Sequence, residues 1–366
     1  MLRHSFITRL AAGALALTGC ADAAVTPSGS VELVESITLS VPVGNVFLQG
    51  TAPARAASGH FAAQTLAGRG GGVAVFDPSG TFLTELNAQG RGPGEFSDLR
   101  SVGFGPGDTL WAVESTRAHA FAPAPDLRFI RTVNFEAPTN STVTPRGFLA
   151  RGIFTGEGSQ PPALRDWDGR VIARFQLPDE IQGVEAQMGP VALDADGSLW
   201  VGHGARYDVV RLDAEGGPSR WIRRDVEWFP PDKRYEGALN VVRPPARLQQ
   251  VATDPENRVL VLSRRAHPDW VPMSNGPAKV ERKRTESAPA EAARARPSLA
   301  DWGSLFEFVL EVFGPDGRLI ASRTLDGGMQ GFGDGTRVYQ VLADADGRIS
   351  LRLWDLRVDP TGVASR

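Results

Sequence analysis

Ala192-Leu193-Asp194-Ala195-Asp196-Gly197-Ser198-Leu199-Trp200-Val201 reads as a strand, a tight turn and a second strand. The aspartates supply side chains that close the turn, and the glycine accepts a positive φ. Together they make a strong short-range hairpin signal. The same shape recurs in Gly103-Phe104-Gly105-Pro106-Gly107-Asp108-Thr109-Leu110-Trp111-Ala112-Val113 and in Ala252-Thr253-Asp254-Pro255-Glu256-Asn257-Arg258-Val259-Leu260-Val261. It recurs again in Leu342-Ala343-Asp344-Ala345-Asp346-Gly347-Arg348-Ile349-Ser350-Leu351, and weaker copies surround Gly59 and Gly147. The marks at Gly59, Gly107, Gly147, Gly197, Asn257 and Gly347 are spaced by roughly the 40–60 residues of a four-stranded propeller blade, except for one long last step. The strand after each turn is apolar and poor in charge, which suits burial on both faces.

A second hairpin follows each mark. Val73-Ala74-Val75-Phe76-Asp77-Pro78-Ser79-Gly80-Thr81-Phe82 is one, and Arg165 to Ile172, Val209 to Gly216 and Phe308 to Ile320 follow the same plan. Two hairpins per mark give four strands per blade, and six marks give an all-β, six-bladed β-propeller. The last blade is one strand short. The N-terminal strand Val31 to Leu39 has no blade of its own, so it is expected to complete the last blade and close the ring, which protects exposed edges. A pair of β-sandwiches and a seven-bladed ring are the alternatives. The repeat spans nearly the whole chain, so residues 31–366 read as one domain, and a monomer is expected.

The first twenty residues stand outside that repeat. Arg3, His4 and Arg9 make a basic start, and Leu10 to Leu17 is an apolar run too short for a permanent membrane span. The run ends Leu17-Thr18-Gly19-Cys20, and Cys20 is the only cysteine in the chain. Small residues before a cysteine resemble the bacterial lipobox. That resemblance implies cleavage before Cys20, lipidation of Cys20 and a place in the cell envelope, with the outer membrane favoured because Ala21 rather than Asp follows. An ordinary secretory signal cut near residues 21–24 is the other reading. Residues 21–30 read as a flexible tether. A single cysteine forms no disulfide within the chain.

Gly68-Arg69-Gly70-Gly71-Gly72 and Gly90-Arg91-Gly92-Pro93-Gly94-Glu95-Phe96 share only their glycine count with nucleotide-binding loops. Neither opens a helix or carries Gly-Lys-Ser/Thr, so the geometry that cradles phosphate is missing. The second segment leads into Leu99 to Phe104, a Gly-Asp turn and Leu110-Trp111-Ala112-Val113. This arrangement resembles the NHL-type six-bladed propellers, whose exported lipoprotein members often carry a Gly-x-Gly-Pro-Gly-Glu-Phe connection at this place. Gly328-Met329-Gln330-Gly331-Phe332-Gly333 reads as a worn second copy. The resemblance implies fold and location more than chemistry. Some relatives are enzymes, the gluconolactonase-like and strictosidine-synthase-like propellers and the amidating lyases, and those that use a central metal hold it with inward side chains from several blades.

In a propeller the second strand of each blade rises toward the channel mouth. Aligning the second strands places Gln64 or Thr65, Glu114, Arg151, His203, Ser263 or Arg264, and Arg352 near their upper ends. One carboxylate and one imidazole among several arginines do not make a metal site, so no catalytic metal and no other cofactor is expected, and a structural calcium is left open. Glu114 and His203, two blades apart, are the one pair with acid/base character. The turn aspartates, such as Asp77, Asp108, Asp168 and Asp316, read as turn formers. Lys233, Lys279 and Lys283 are the only lysines, so cationic character here means arginine, which grips carboxylate and phosphate in a fork. The expected partners are the membrane, through Cys20, and an anionic small ligand or an envelope protein at the mouth. A net charge of −3 gives no broad basic footprint for nucleic acid.

The long last step contains a charged, alanine-rich insertion at about residues 267–303, between the second and third strands of blade five. Such a loop leaves the domain on the face that holds the mouth, where it could gate the channel. The chain therefore reads as an anchored binding module, with a lactonase-like or lyase-like enzyme as the alternative.

Overall fold

Backbone geometry closes the Asp194–Ser198 and Asp254–Arg258 turns in the same way. Asp194 N donates to Ser198 O at 2.8 Å and Gly197 N donates to Asp194 O at 3.0 Å. Gly197 stands at φ 93°, where a side chain is strained. Asn257 holds the same place in blade five at φ 58°, a conformation asparagine tolerates better than most residues. The strands that follow are buried on both faces: every residue of Phe61–Thr65, Leu110–Glu114 and Leu199–Gly202 is buried.

The computed structural model describes residues 27–41, 48, 51–66, 71–135, 140–151, 154–155, 158–159, 161–181, 189–229, 243–270, 305–325, 329–333, 336–344 and 348–361. The stretch expected to be an export signal, most of the expected tether and the bulk of the expected blade-five insertion lie outside these residues. The described strands form six four-stranded antiparallel sheets, with one small two-stranded hairpin, Phe154–Thr155 with Gly158–Ser159, between the second and third strands of blade three. The fold is a six-bladed β-propeller.

From the channel outward, blade one is Ala54–Arg55, Phe61–Thr65, Gly72–Phe76 and Phe82–Leu86. Blade two is Leu99–Phe104, Leu110–Glu114, Arg117–Phe121 and Phe129–Asn134. Blade three is Asn140–Thr144, Gly147–Arg151, Ala163–Arg165 and Val171–Arg174. Blade four is Val191–Leu193, Leu199–Gly202, Asp208–Leu212 and Pro218–Arg223, and blade five is Arg247–Thr253, Val259–Ala266, Phe306–Phe313 and Leu319–Leu325. Blade six is Met329–Phe332, Arg337–Ala343 and Ile349–Asp359, with the N-terminal strand Ser30–Leu39 as its outermost member. Ser30 stands opposite Asp359 and Leu39 opposite Leu351, so the ring closes as expected.

One element of the repeat falls elsewhere than expected. The Asp344–Arg348 turn joins the second and third strands of blade six, not the first and second. The first hairpin of that blade turns at Gly333, whose N donates to Arg337 O at 2.8 Å. The Gly328–Gly333 stretch, read as a worn connection, thus supplies blade six with its first strand. Asp/Gly turn chemistry serves either hairpin of a blade, so the turn alone does not fix which strands it joins.

The core lies between blades. Phe61 and Ala63 pack against Tyr339 and Val341 of blade six, while Ala62 packs against Val102 and Leu110 of blade two. This alternation puts successive residues of each second strand against opposite neighbours. Around the channel the first strands are also tied directly. Ser101 Oγ donates to Ser141 O at 2.7 Å, and Gln250 brackets Phe332, accepting from its N at 2.6 Å and donating to its O at 3.3 Å.

Candidate functional site

The upper ends of the second strands are where sequence reasoning placed a site, and Glu114 is the most heavily bonded residue among them. It is 2% exposed. Its Oε1 accepts from Ser97 N at 2.6 Å, Ser97 Oγ at 2.8 Å and Asp98 N at 2.9 Å. Its Oε2 accepts from Arg117 Nε and, at 3.2 Å, from His119 Nε2. A carboxylate only accepts, so Nε2 carries the ring hydrogen of His119. Burial pushes the Glu114 carboxyl up, but the bonds from His119, Arg117 and Ser97 outweigh it and hold the group well below the usual carboxylate range.

That network clasps the glycine-rich connection. Arg117 Nη1 donates to Arg91 O at 2.6 Å, and Nη2 reaches Gly90 O and Glu95 O, each at 3.3 Å. Within the connection Glu95 Oε2 accepts from Gly92 N at 2.8 Å, and Phe96 is fully buried edge-on against His119 and Phe121. Gly-x-Gly-Pro-Gly-Glu-Phe is thus a folded plug, and Glu114 is the post to which it is tied. Arg117 and His119 belong to this unit although position alone did not select them. Their signal was present in sequence, as an arginine and a histidine three and five residues after the glutamate, across a two-residue turn.

His203 has a local task as well. Its Nδ1 accepts from Ala205 N at 3.2 Å and Arg206 N at 3.1 Å, which bends the chain between the second and third strands of blade four. Thr65 Oγ1 donates to Glu85 Oε1 at 2.6 Å. Glu114 and His203 are each held by their own neighbours, and the imidazole that meets Glu114 is that of His119. The pair considered for acid/base work is not brought together. Glu114, stripped of free lone pairs and held ionised, has no proton to give.

Arg352 requires a correction. It lies on the third strand of blade six, because the Asp344–Arg348 turn precedes the third strand rather than the second. There it stands opposite Thr38 of the outermost strand, with Nε 3.4 Å from Glu35 and its guanidinium over the Trp354 ring at 5.9 Å. It braces the ring closure and does not line the mouth. Gln64 remains at the upper end of blade one, 3% exposed, on the face turned toward blade two, and its Nε2 has no hydrogen-bond partner.

Two arginines remain at the upper ends. Arg151 closes the second strand of blade three opposite Asn140, half-buried, and its guanidinium has no hydrogen bond or ion pair among the described residues. Burial weakens its hold on its proton. Arg264 stands directly opposite Arg247, which opens the first strand of blade five. Its guanidinium lies over the Phe306 ring at 4.6 Å, and burial, then the neighbouring Arg247 charge, lowers its proton affinity. Like charges placed directly across an antiparallel pair repel. Ser263, the alternative at that position, is 1% exposed and faces blade four. Among the described residues no group of three or more His, Cys, Asp or Glu is placed to hold a metal ion.

No family model matches the chain, and no curated protein matches it. Solved structures do. A member of the DUF4221 family from Bacteroides vulgatus superposes with a TM-score of 0.56 at 14% identity, covering 91% of this chain and 99% of its own. A protein of Bacteroides fragilis named as exported superposes at 0.52 with 11% identity, covering 90% and 95%. A streptogramin B lyase gives 0.43 with 11% identity, covering 90% and 98%. The likeness is one of fold. No helix among the described residues is long and apolar enough to cross a membrane.

Proposed function

We propose that the protein is an envelope-tethered propeller, lipidated at Cys20, that binds an anionic small ligand at the upper mouth of its channel. Arg151 carries this reading. A half-buried guanidinium without a partner among the described residues is costly, and an anion supplied by a ligand turns that cost into a charge-assisted bond. The kinship with NHL-type exported lipoproteins, expected from the Gly90–Phe96 segment, is part of this proposal, as is the place in the envelope. A lactonase-like activity gains no support from Glu114, whose oxygens are committed to the plug.

Thermal unfolding with gluconate, inorganic phosphate or uncharged glucose tests the reading. The expected outcome is a rise in Tm with one of the anions, none with glucose, and loss of that rise in Arg151→Gln, whose unliganded Tm should equal or exceed that of wild type. An equal response of wild type and Arg151→Gln overturns it.

A further inference from the structure

In blades one to five the outer strand begins with the same irregularity. Its second residue is skipped by the ladder, as in a β-bulge: Leu83, Ile130, Ile172, Ser219 and Ile320 in turn. Each follows by two residues the position that closes the hairpin turn, Thr81, Arg128, Arg170, Gly217 or Arg318. These turns join third and fourth strands, which places them on the face opposite the mouth. The skipped residues are therefore equivalent positions along the lower rim.

The chain treats these positions differently. Ile320 is covered: Gly29 N donates to its carbonyl at 2.9 Å, and its side chain packs, partly buried, on the core between blades five and six. Ser219 is polar. Leu83, Ile130 and Ile172 are 41%, 47% and 52% exposed. Among the described residues only four large hydrophobic side chains are exposed, the other being Leu66 at the upper end of blade one. Exposed aliphatics scattered singly are ordinary surface. Three of four at one equivalent position on three adjoining blades form a row.

We propose that Leu83, Ile130 and Ile172 rest in the headgroup layer of the bilayer to which the tether holds the ring, a contact that presupposes the tethered reading above. Equivalent positions of a radial repeat lie at one height, so a flat partner meets all three at once, whereas an extended peptide follows a single strand edge. The chain enters the ring where Gly29 meets Ile320, at that same height. Blades two and three lie across the ring from this junction of blades five and six, so leash and row hold opposite sides of one face against one plane. The exposed turn charges beside Ile130 and Ile172 are paired: Asp126 lies 3.7 Å from Arg128, and Asp168 lies 2.6 Å from Arg131 and 3.9 Å from Arg170. Such a balanced surface suits zwitterionic headgroups and gives anionic lipid no advantage. Three aliphatic side chains attract a bilayer weakly, because the attraction scales with the apolar area buried. The tether makes the encounter intramolecular, and a weak contact then suffices to set the tilt of the ring.

Polarity-sensitive fluorophores on Leu83→Cys, Ile130→Cys and Ile172→Cys test the contact, with Leu66→Cys as the upper-face control. The lipidated protein is placed on phosphatidylcholine vesicles that carry a headgroup-level quencher lipid. The expected result is a blue shift and quenching at the three rim positions and neither at Leu66→Cys. No quenching at the rim of the lipidated protein overturns the contact. If mass spectrometry finds no lipid on Cys20, the same variants with Cys20→Ser, held by an N-terminal histidine tag on nickel-chelating vesicles, decide the matter. Quenching there removes the lipid anchor and keeps the rim contact, and its absence overturns the contact as well. A blue shift that arises without vesicles and fades on dilution also overturns it, because a second copy of the chain then covers the row.

Discussion

Glu114 accepts five hydrogen bonds, and their loss defines the clearest prediction at the scale of one residue. Glu114→Gln keeps the shape but removes the charge that draws Arg117 and His119 in. Bonds to a buried charged group contribute about 1.5–3 kcal/mol, so urea unfolding should show a loss of about that size. The pH dependence follows from the lowered folded-state pKa. The unfolded chain binds the proton more readily, so the contribution is complete above the ordinary carboxylate value of 4.5 and is lost as pH falls below it. Wild type should therefore lose stability on acidification more steeply than Glu114→Gln, and parallel curves would refute the assignment. The sequence singled out Glu114 by position but not its role. What decides the role is the plug, tied through Arg117 to carbonyls more than twenty residues back in the chain. Strand alignment is blind to such a contact.

At the scale of the element, the turns were legible and their assignment to strands was only partly so. Asp194–Ser198 and Asp254–Arg258 sit where the repeat put them, while Asp344–Arg348 sits one hairpin further out. Turn chemistry is local, whereas strand order depends on which edge the rest of the chain leaves open. That one slip carried Arg352 to the wrong strand. The second hairpins show a contact rule that sequence does not reveal. Glycines of their turns press against the backbone of the preceding blade's outermost strand: Gly216 against Arg174 O, Gly169 against Asn134 O, and Gly80 against Thr38 O. The N-terminal strand therefore meets blade one as any outer strand meets the next blade. Gly80 stands at φ 85°, and a Cβ there would lie 2.8 Å from Thr38 O. Gly80→Ala should cost at least the roughly 1–3 kcal/mol of a strained left-handed residue and should loosen the closure. Hydrogen exchange should rise first in Ser30–Leu39, and uniform protection would argue against this picture.

At the scale of the whole molecule, the N-terminal strand has a direction as well as a place. Ser30 lies opposite Asp359, at the end of blade six reached after its third strand has run down from the Asp344–Arg348 turn. Gly29 N donates to Ile320 O at 2.9 Å, and Arg323 Nη1 donates to Val31 O at 2.9 Å, so the strand is stitched from its first residues to the outer strand of blade five. The chain joins the ring at its lower rim. From Cys20 to Ser30 the extended chain reaches at most about 35 Å. A lipid on Cys20 would thus leash the molecule by its underside and turn the mouth, with Arg151 and Arg264, away from the bilayer. On vesicle-tethered protein, a thiol label should reach Asp344→Cys on the upper face far faster than Asp316→Cys on the lower one, and the reverse order would refute this orientation. The strand that seals the ring also acts as a compass needle, deciding which way the opening looks.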